Sequence, residues 1–231
     1  MLSRRRFVAV VGLAGGALGL PGHKLDALAA GPARELPLGE RYGGFALLPE
    51  GAAAPWDLQP PRRLPPNFCA TGVGRGGQET TGNTRVVKDA QEAASRLGMP
   101  IYALLGLTSE AAPSGASVIE YDDGDVYAVS LAYDSVDAVT GEKGPNISIV
   151  AFPDFMRPLP LWASNPVEPG GPAVRLEKAA FLPAPGVMVR SSDGFVFHWI
   201  ADEVYFMMAV ENHYPLSEAR RLAQALVTVN P

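Results

Sequence analysis

The chain has 231 residues, 19 of them basic and 24 acidic, for a net charge of −5 at pH 7. That balance makes nucleic acid and anionic membrane surfaces poor partners, because phosphate binding needs a basic footprint. At 47% hydrophobic the chain has ample material for a core, and its single cysteine, Cys69, excludes an intrachain disulfide.

The first element in chain order is an export signal. Ser3-Arg4-Arg5-Arg6-Phe7-Val8 makes a basic start, and a Gly- and Ala-rich apolar run of 14 residues extends from Phe7 to Leu20. The run is short for a spanning helix, which needs about 20 residues. This start resembles the twin-arginine signal pattern Ser/Thr-Arg-Arg-x-Phe-Leu, with Arg4, Arg5 and Phe7 in place and Val8 for the leucine. Ala27-Leu28-Ala29 supplies the small residues a signal peptidase reads, so cleavage is expected after Ala29. The resemblance implies recognition by the export machinery and an extracytoplasmic location: periplasm, cell surface or secreted. A general secretory signal and an uncleaved anchor are the alternatives. Residues 1–29 hold four of the basic and one of the acidic side chains, so the remainder carries 15 and 23. No later stretch is long and apolar enough to span a membrane after cleavage.

Residues 30–83 read as an irregular Pro/Gly-rich segment, with Tyr42, Phe45, Leu47 and Leu48 as a short strand inside it. Residues 84–231 read as one α+β domain. A helix is predicted over Thr84–Leu97, because Val86, Val87, Ala90, Ala93, Ala94 and Leu97 fall on one face. Gly98 and Pro100 stop it. Strands are predicted at 117–121, 126–133 and 146–152, the first two joined by an Asp-Gly turn at Asp122–Asp125. Residues 153–172 read as a second proline-rich loop carrying Phe155 and Trp162. Further strands are predicted at 175–182, 187–191, 195–200 and 204–210, and a last helix at 215–227. The whole predicts an antiparallel sheet of about seven strands with two amphipathic helices on one face.

Several motifs fail on their chemistry. Gly72-Val73-Gly74-Arg75-Gly76-Gly77 meets the dinucleotide count, but no strand precedes it and no helix opens directly after it. Gly77–Thr84 resembles a phosphate loop opening a helix, yet Asn83 stands where the lysine belongs. Asp122, Asp123 and Asp125 lack the distal glutamate of a calcium loop and read as a solvated turn. Glu211 and His213 share a face of an extended segment. With His198 they are the weak candidates for a metal site, without a ligand-spacing signature. Cys69 reads as a buried small hydrophobe or an exposed thiol. No cofactor is implied by any motif, and no catalytic residue is assigned.

Ala93-Ala94-Ser95-Arg96-Leu97-Gly98-Met99-Pro100 and Tyr214–Ala223, with hairpins between them, are similar to extracytoplasmic domains of the LolA and RseB type and to anti-sigma sensor domains. The resemblance covers about a tenth of the chain and transfers no binding residue. It implies a sheet face that holds lipid or peptide. The functional expectation is an exported, non-catalytic binding or interaction protein for a hydrophobic ligand, a lipid or a partner chain. Phe155 and Trp162 are the expected ligand or lid contacts. The alternative is an exported enzyme or redox accessory subunit with a metal or cofactor.

Overall fold

A computed structural model describes residues 36–49, 52–53, 57, 59, 62, 83–105, 112–121, 123–136, 143–163, 175–191, 194–211 and 214–231. Arg4, Arg5, Phe7, Ala27, Ala29, Cys69 and the glycine motif at 72–77 lie outside the described residues. In chain order the elements are β1 (Arg41–Tyr42), β2 (Phe45–Pro49), β3 (Asn83–Val87), α1 (Ala90–Leu97), β4 (Ile101–Leu104), β5 (Ala112–Glu120), β6 (Val126–Val136) and β7 (Lys143–Phe152). They continue as β8 (Leu159–Ala163), β9 (Arg175–Ala179), β10 (Gly186–Ser191), β11 (Gly194–Ala201), β12 (Val204–Glu211), α2 (Leu216–Gln224) and β13 (Leu226–Val229).

Among the described residues the main sheet has eight antiparallel strands, not about seven, in the order β3-β5-β6-β7-β12-β11-β10-β9. Two meanders, β5 to β7 and β9 to β12, join edge to edge where β7 pairs with β12. Alternation along β11 and β12 separates two cores. Phe195, Phe197, Trp199, Phe206 and Met208 enter one core, together with Ala93 and Ala94 of α1 and Ala219, Leu222 and Ala223 of α2. Tyr205, Met207 and Val150 enter the other, together with Phe45 and Leu47 of β2. With successive side chains on opposite faces, β12 needs apolar residues at nearly every position, which is the pattern of Val204–Val210. The face opposite the helices therefore carries the smaller sheet β1-β2-β8, in which β2 and β8 run parallel. β4 and β13 form a separate antiparallel pair.

The helix predicted from Thr84 starts six residues later. Thr84–Val87 instead pairs with β5, Thr84 opposite Ile119 and Val86 opposite Ser117. The β-branched residues Thr84, Val86 and Val87 suit a strand. Asp89 marks the true start of α1: its carboxylate accepts the Glu92 N–H at 2.9 Å, while Glu92 accepts the Lys88 N–H at 2.8 Å. The Asp89 carboxylate thereby satisfies a donor that the first turn leaves unpaired, while Glu92 reaches back to the residue before the cap. Replacing Asp89 with Ala is expected to cost about 1 kcal/mol of stability, read as a lowered urea midpoint with unchanged slope. The loop predicted over 153–172 contains β8, and the final helix ends at Gln224, where Val227, Thr228 and Val229 turn to strand pairing with β4.

A bulge places one more aromatic ring. Ile119 faces Ala128 and Glu120 faces Val126, so Tyr127 has no partner in register. The extra residue turns its ring to the side of the small sheet, where it meets Phe152 at 5.8 Å.

Candidate functional site

A cleft of about 510 Å³ opens where the small sheet meets the end of β11. Its first wall is the β1–β2 hairpin. Tyr42 and Phe45 pair across a two-residue turn, Gly43-Gly44, whose φ angles are +58° and +88°. Both turn positions need φ > 0, which glycine adopts without steric cost. The turn is also pressed against its surroundings. A Cβ on Gly43 would stand 2.4 Å from the Pro185 carbonyl oxygen, and one on Gly44 2.8 Å from the Ile200 side chain.

The second wall is the turn between β7 and β8. Phe155 is buried there, and Arg157 precedes a cis proline, Pro158. Gln59 and Arg157 exchange both backbone hydrogen bonds, at 2.8 and 2.9 Å. Asp154 accepts the Arg62 N–H at 2.8 Å, which ties Arg62 to the same turn.

Two guanidinium groups reach the cleft, in different electrostatic settings. Arg41 forms an ion pair with Asp57, and its hydrogen bond holds the Asp57 carboxyl below its ordinary value. The Arg157 guanidinium lies 4.6 Å over the Phe155 ring, and its Nη2 donates to the Glu203 carbonyl oxygen at 3.3 Å. Tyr42, Phe155, Pro158 and Ile200 supply the apolar surface between these charges.

Beneath Phe155 lies a buried aromatic cluster. Tyr205 meets Phe155 at 5.9 Å and stacks on Phe152 at 5.5 Å, while Phe45 meets both Tyr205 and His198 edge-on. His198 Nδ1 and the Tyr205 hydroxyl are 2.8 Å apart. Burial pushes the His198 imidazole down to about 4, so it is neutral at physiological pH. Burial also raises the Tyr205 phenol, and burial with the nearby Tyr121 pushes Tyr127 up to about 12. A neutral imidazole bonded to a protonated phenol, inside an apolar core, fixes the two strands against each other.

The residues singled out from the sequence separate in space. His198 sits opposite Met207, and Glu211 lies four residues further along β12 on the same face, roughly 14 Å away at 3.4 Å per residue. His213 lies outside the described residues, and no group of three His, Cys, Asp or Glu gathers among those described. Phe155 is a cleft residue. The Trp162 backbone lies in β8 opposite Leu48, and its side chain falls outside the described residues. Thr84 lies in a strand, so the phosphate-loop reading loses the helix N-terminus it requires. At the acidic turn, Asp123 accepts the Asp125 N–H at 3.3 Å.

Arg41, Asp57 and Arg157 were not singled out from the sequence, and Tyr42 was read only as part of a short strand. The dipeptide Gly43-Gly44 between Tyr42 and Phe45 is the local hairpin signal that marks one wall. Nothing local joins that wall to residues 155–158, because the link is the parallel pairing of Phe45 with Leu159. Comparison with protein-family models, with curated proteins and with solved structures finds no match to this chain.

Proposed function

We propose that this is an exported, non-catalytic binding protein whose ligand is a small molecule with a hydrophobic body, seated in the cleft beside the β1–β2 hairpin. The observation that carries the reading is the cleft itself, about 510 Å³ in volume, with Tyr42, Phe155, Pro158 and Ile200 around it and charged groups at its rim. That volume falls within the range of small-ligand sites. The ligand is placed there rather than on the main sheet face, which β2 covers with Phe45 and Leu47 around Val150 and Met207. Export is supported by Arg4, Arg5 and Phe7 ahead of the short apolar run, and by Ala27 and Ala29 at the expected cleavage point. No helix among the described residues is long and apolar enough to cross a membrane.

Native mass spectrometry of the protein purified after export through its own N-terminus tests both halves. The expected result is a chain that begins at Ala30 and carries a mass excess released on denaturation. Retention in the cytoplasm would contradict the export reading. A bare chain that also takes up no apolar probe would contradict the binding reading.

A further inference from the structure

We infer that the ligand of this cleft is an amphipathic anion whose single acidic group is held by Arg157. The inference rests on the binding reading above and adds the ligand's charge and the residue that recognises it.

The argument begins with charge pairing. Arg41 is answered by Asp57 across the cleft mouth. Arg157 has no carboxylate in ion-pair contact among the described residues; its recorded side-chain partners are a carbonyl oxygen and an aromatic ring. Of the three charged groups that line the cleft, Arg41, Asp57 and Arg157, only Arg157 lacks an opposite charge in ion-pair contact among the described residues. In a chain of net charge −5, that positive group runs against the overall sign.

The second part is pre-organisation. Arg157 is fixed at its backbone by two hydrogen bonds to Gln59, and its guanidinium is held over Phe155 with one N–H occupied by Glu203. A guanidinium carries five N–H donors in a planar fork, so most of them remain for a bidentate oxyanion. Stacking on the ring removes much of the rotamer freedom that binding would otherwise have to freeze.

The third part is the remainder of the wall. The Tyr42 ring, Phe155, Pro158 and Ile200 offer apolar contact, and the neutral polar side chains of the lining are Tyr42, through its hydroxyl, and Gln59. A small inorganic anion would leave that surface wet. A carboxylate or sulfonate on an aromatic or aliphatic body would use both the charge and the apolar wall.

Isothermal titration of the full exported chain with two probes tests this. One is 8-anilino-1-naphthalenesulfonate; the other is N-phenyl-1-naphthylamine, which has the same rings without the sulfonate. The sulfonate probe is expected to bind one per chain. Arg157→Met is expected to weaken it about tenfold or more while shifting the neutral probe by less than about twofold. Arg157→Lys keeps the charge but loses the fork and is expected to fall between. Asp57→Asn leaves Arg41 unpaired and is expected to tighten the sulfonate probe, so the test survives if an Arg157 variant fails to fold. If both probes bind and neither responds to the Arg157 or Asp57 variants, the anion inference is overturned and the binding reading stands. If neither probe binds the wild type, the binding reading falls as well.

Discussion

Phe45→Ala is expected to destabilise the protein by about 3–5 kcal/mol, the range for truncating a fully buried phenylalanine. Phe45 has no exposed surface, and its ring stands edge-on to His198 at 6.3 Å and to Tyr205 at 6.2 Å. Its loss removes the apolar burial of a whole ring and opens a cavity between the two sheets. It also leaves the His198–Tyr205 pair facing a void instead of a packed wall. The small sheet attaches to the main one chiefly through Phe45, Leu47, Leu159 and Leu161, so the damage should be local as well as global. Urea unfolding measures the total, and hydrogen exchange of the β2 and β8 amides locates it. Faster exchange in those strands is expected to exceed that in β11 and β12. A loss below about 1 kcal/mol would mean that Phe45 is not packed between the sheets.

Acid should act on the same core from its other side. The His198 imidazole is pushed from an ordinary 6.5 down to about 4 by burial. Between those two pH values the unfolded chain binds a proton that the folded chain refuses. Stability is therefore unaffected by this group above about pH 7.5. It declines by up to about 1.4 kcal/mol per pH unit as pH falls below 6.5. The accumulated loss is about 3 kcal/mol by pH 4 and levels off below about pH 3. The groups facing His198 are Tyr205, Phe45 and, in register, Met207 and Val187, none of them a carboxylate that could stabilise an imidazolium. His198→Gln removes the titration and keeps a side chain able to bond to the Tyr205 hydroxyl. Asp57, Glu92 and Glu218, all held below their ordinary values, titrate alike in both proteins and cancel in the comparison. Urea titrations at several pH values are expected to show a steeper acid loss in wild type than in the variant. Parallel curves would mean that the imidazole is solvated.

How much of this was legible in the sequence differs from element to element. β11 and β12 were readable, because Phe195–Ile200 and Val204–Val210 are apolar at nearly every position and Asp193-Gly194 and Ala201-Asp202-Glu203 bracket them as turns. β3 was misread because Val86 and Val87 also satisfy a helical spacing with Ala90 and Ala93. The Asp89-Ala90-Gln91-Glu92 cap is what separates the two readings. β8 was hidden by Pro160, which argues against a central strand. β8 pairs only with β2 among the described residues, and an edge strand tolerates proline. Of the cleft, Phe155 was picked out by its place in a long loop. Its partners were not, since Arg41 and Tyr42 reach it only through the parallel pairing of Phe45 with Leu159 across more than a hundred residues of chain. Sequence periodicity reports the faces of single elements and carries no information about such a pairing.

The most direct test of the central claim, that the cleft beside the β1–β2 hairpin is the binding site, is amide chemical-shift mapping during titration with 8-anilino-1-naphthalenesulfonate. The predicted result is a saturable set of shifts confined to Arg41–Gly44, Asp57, Gln59, Phe155, Arg157 and Ile200, the residues that line it. Shifts centred on α1, α2 or the β4–β13 pair, with these amides unmoved, would contradict it.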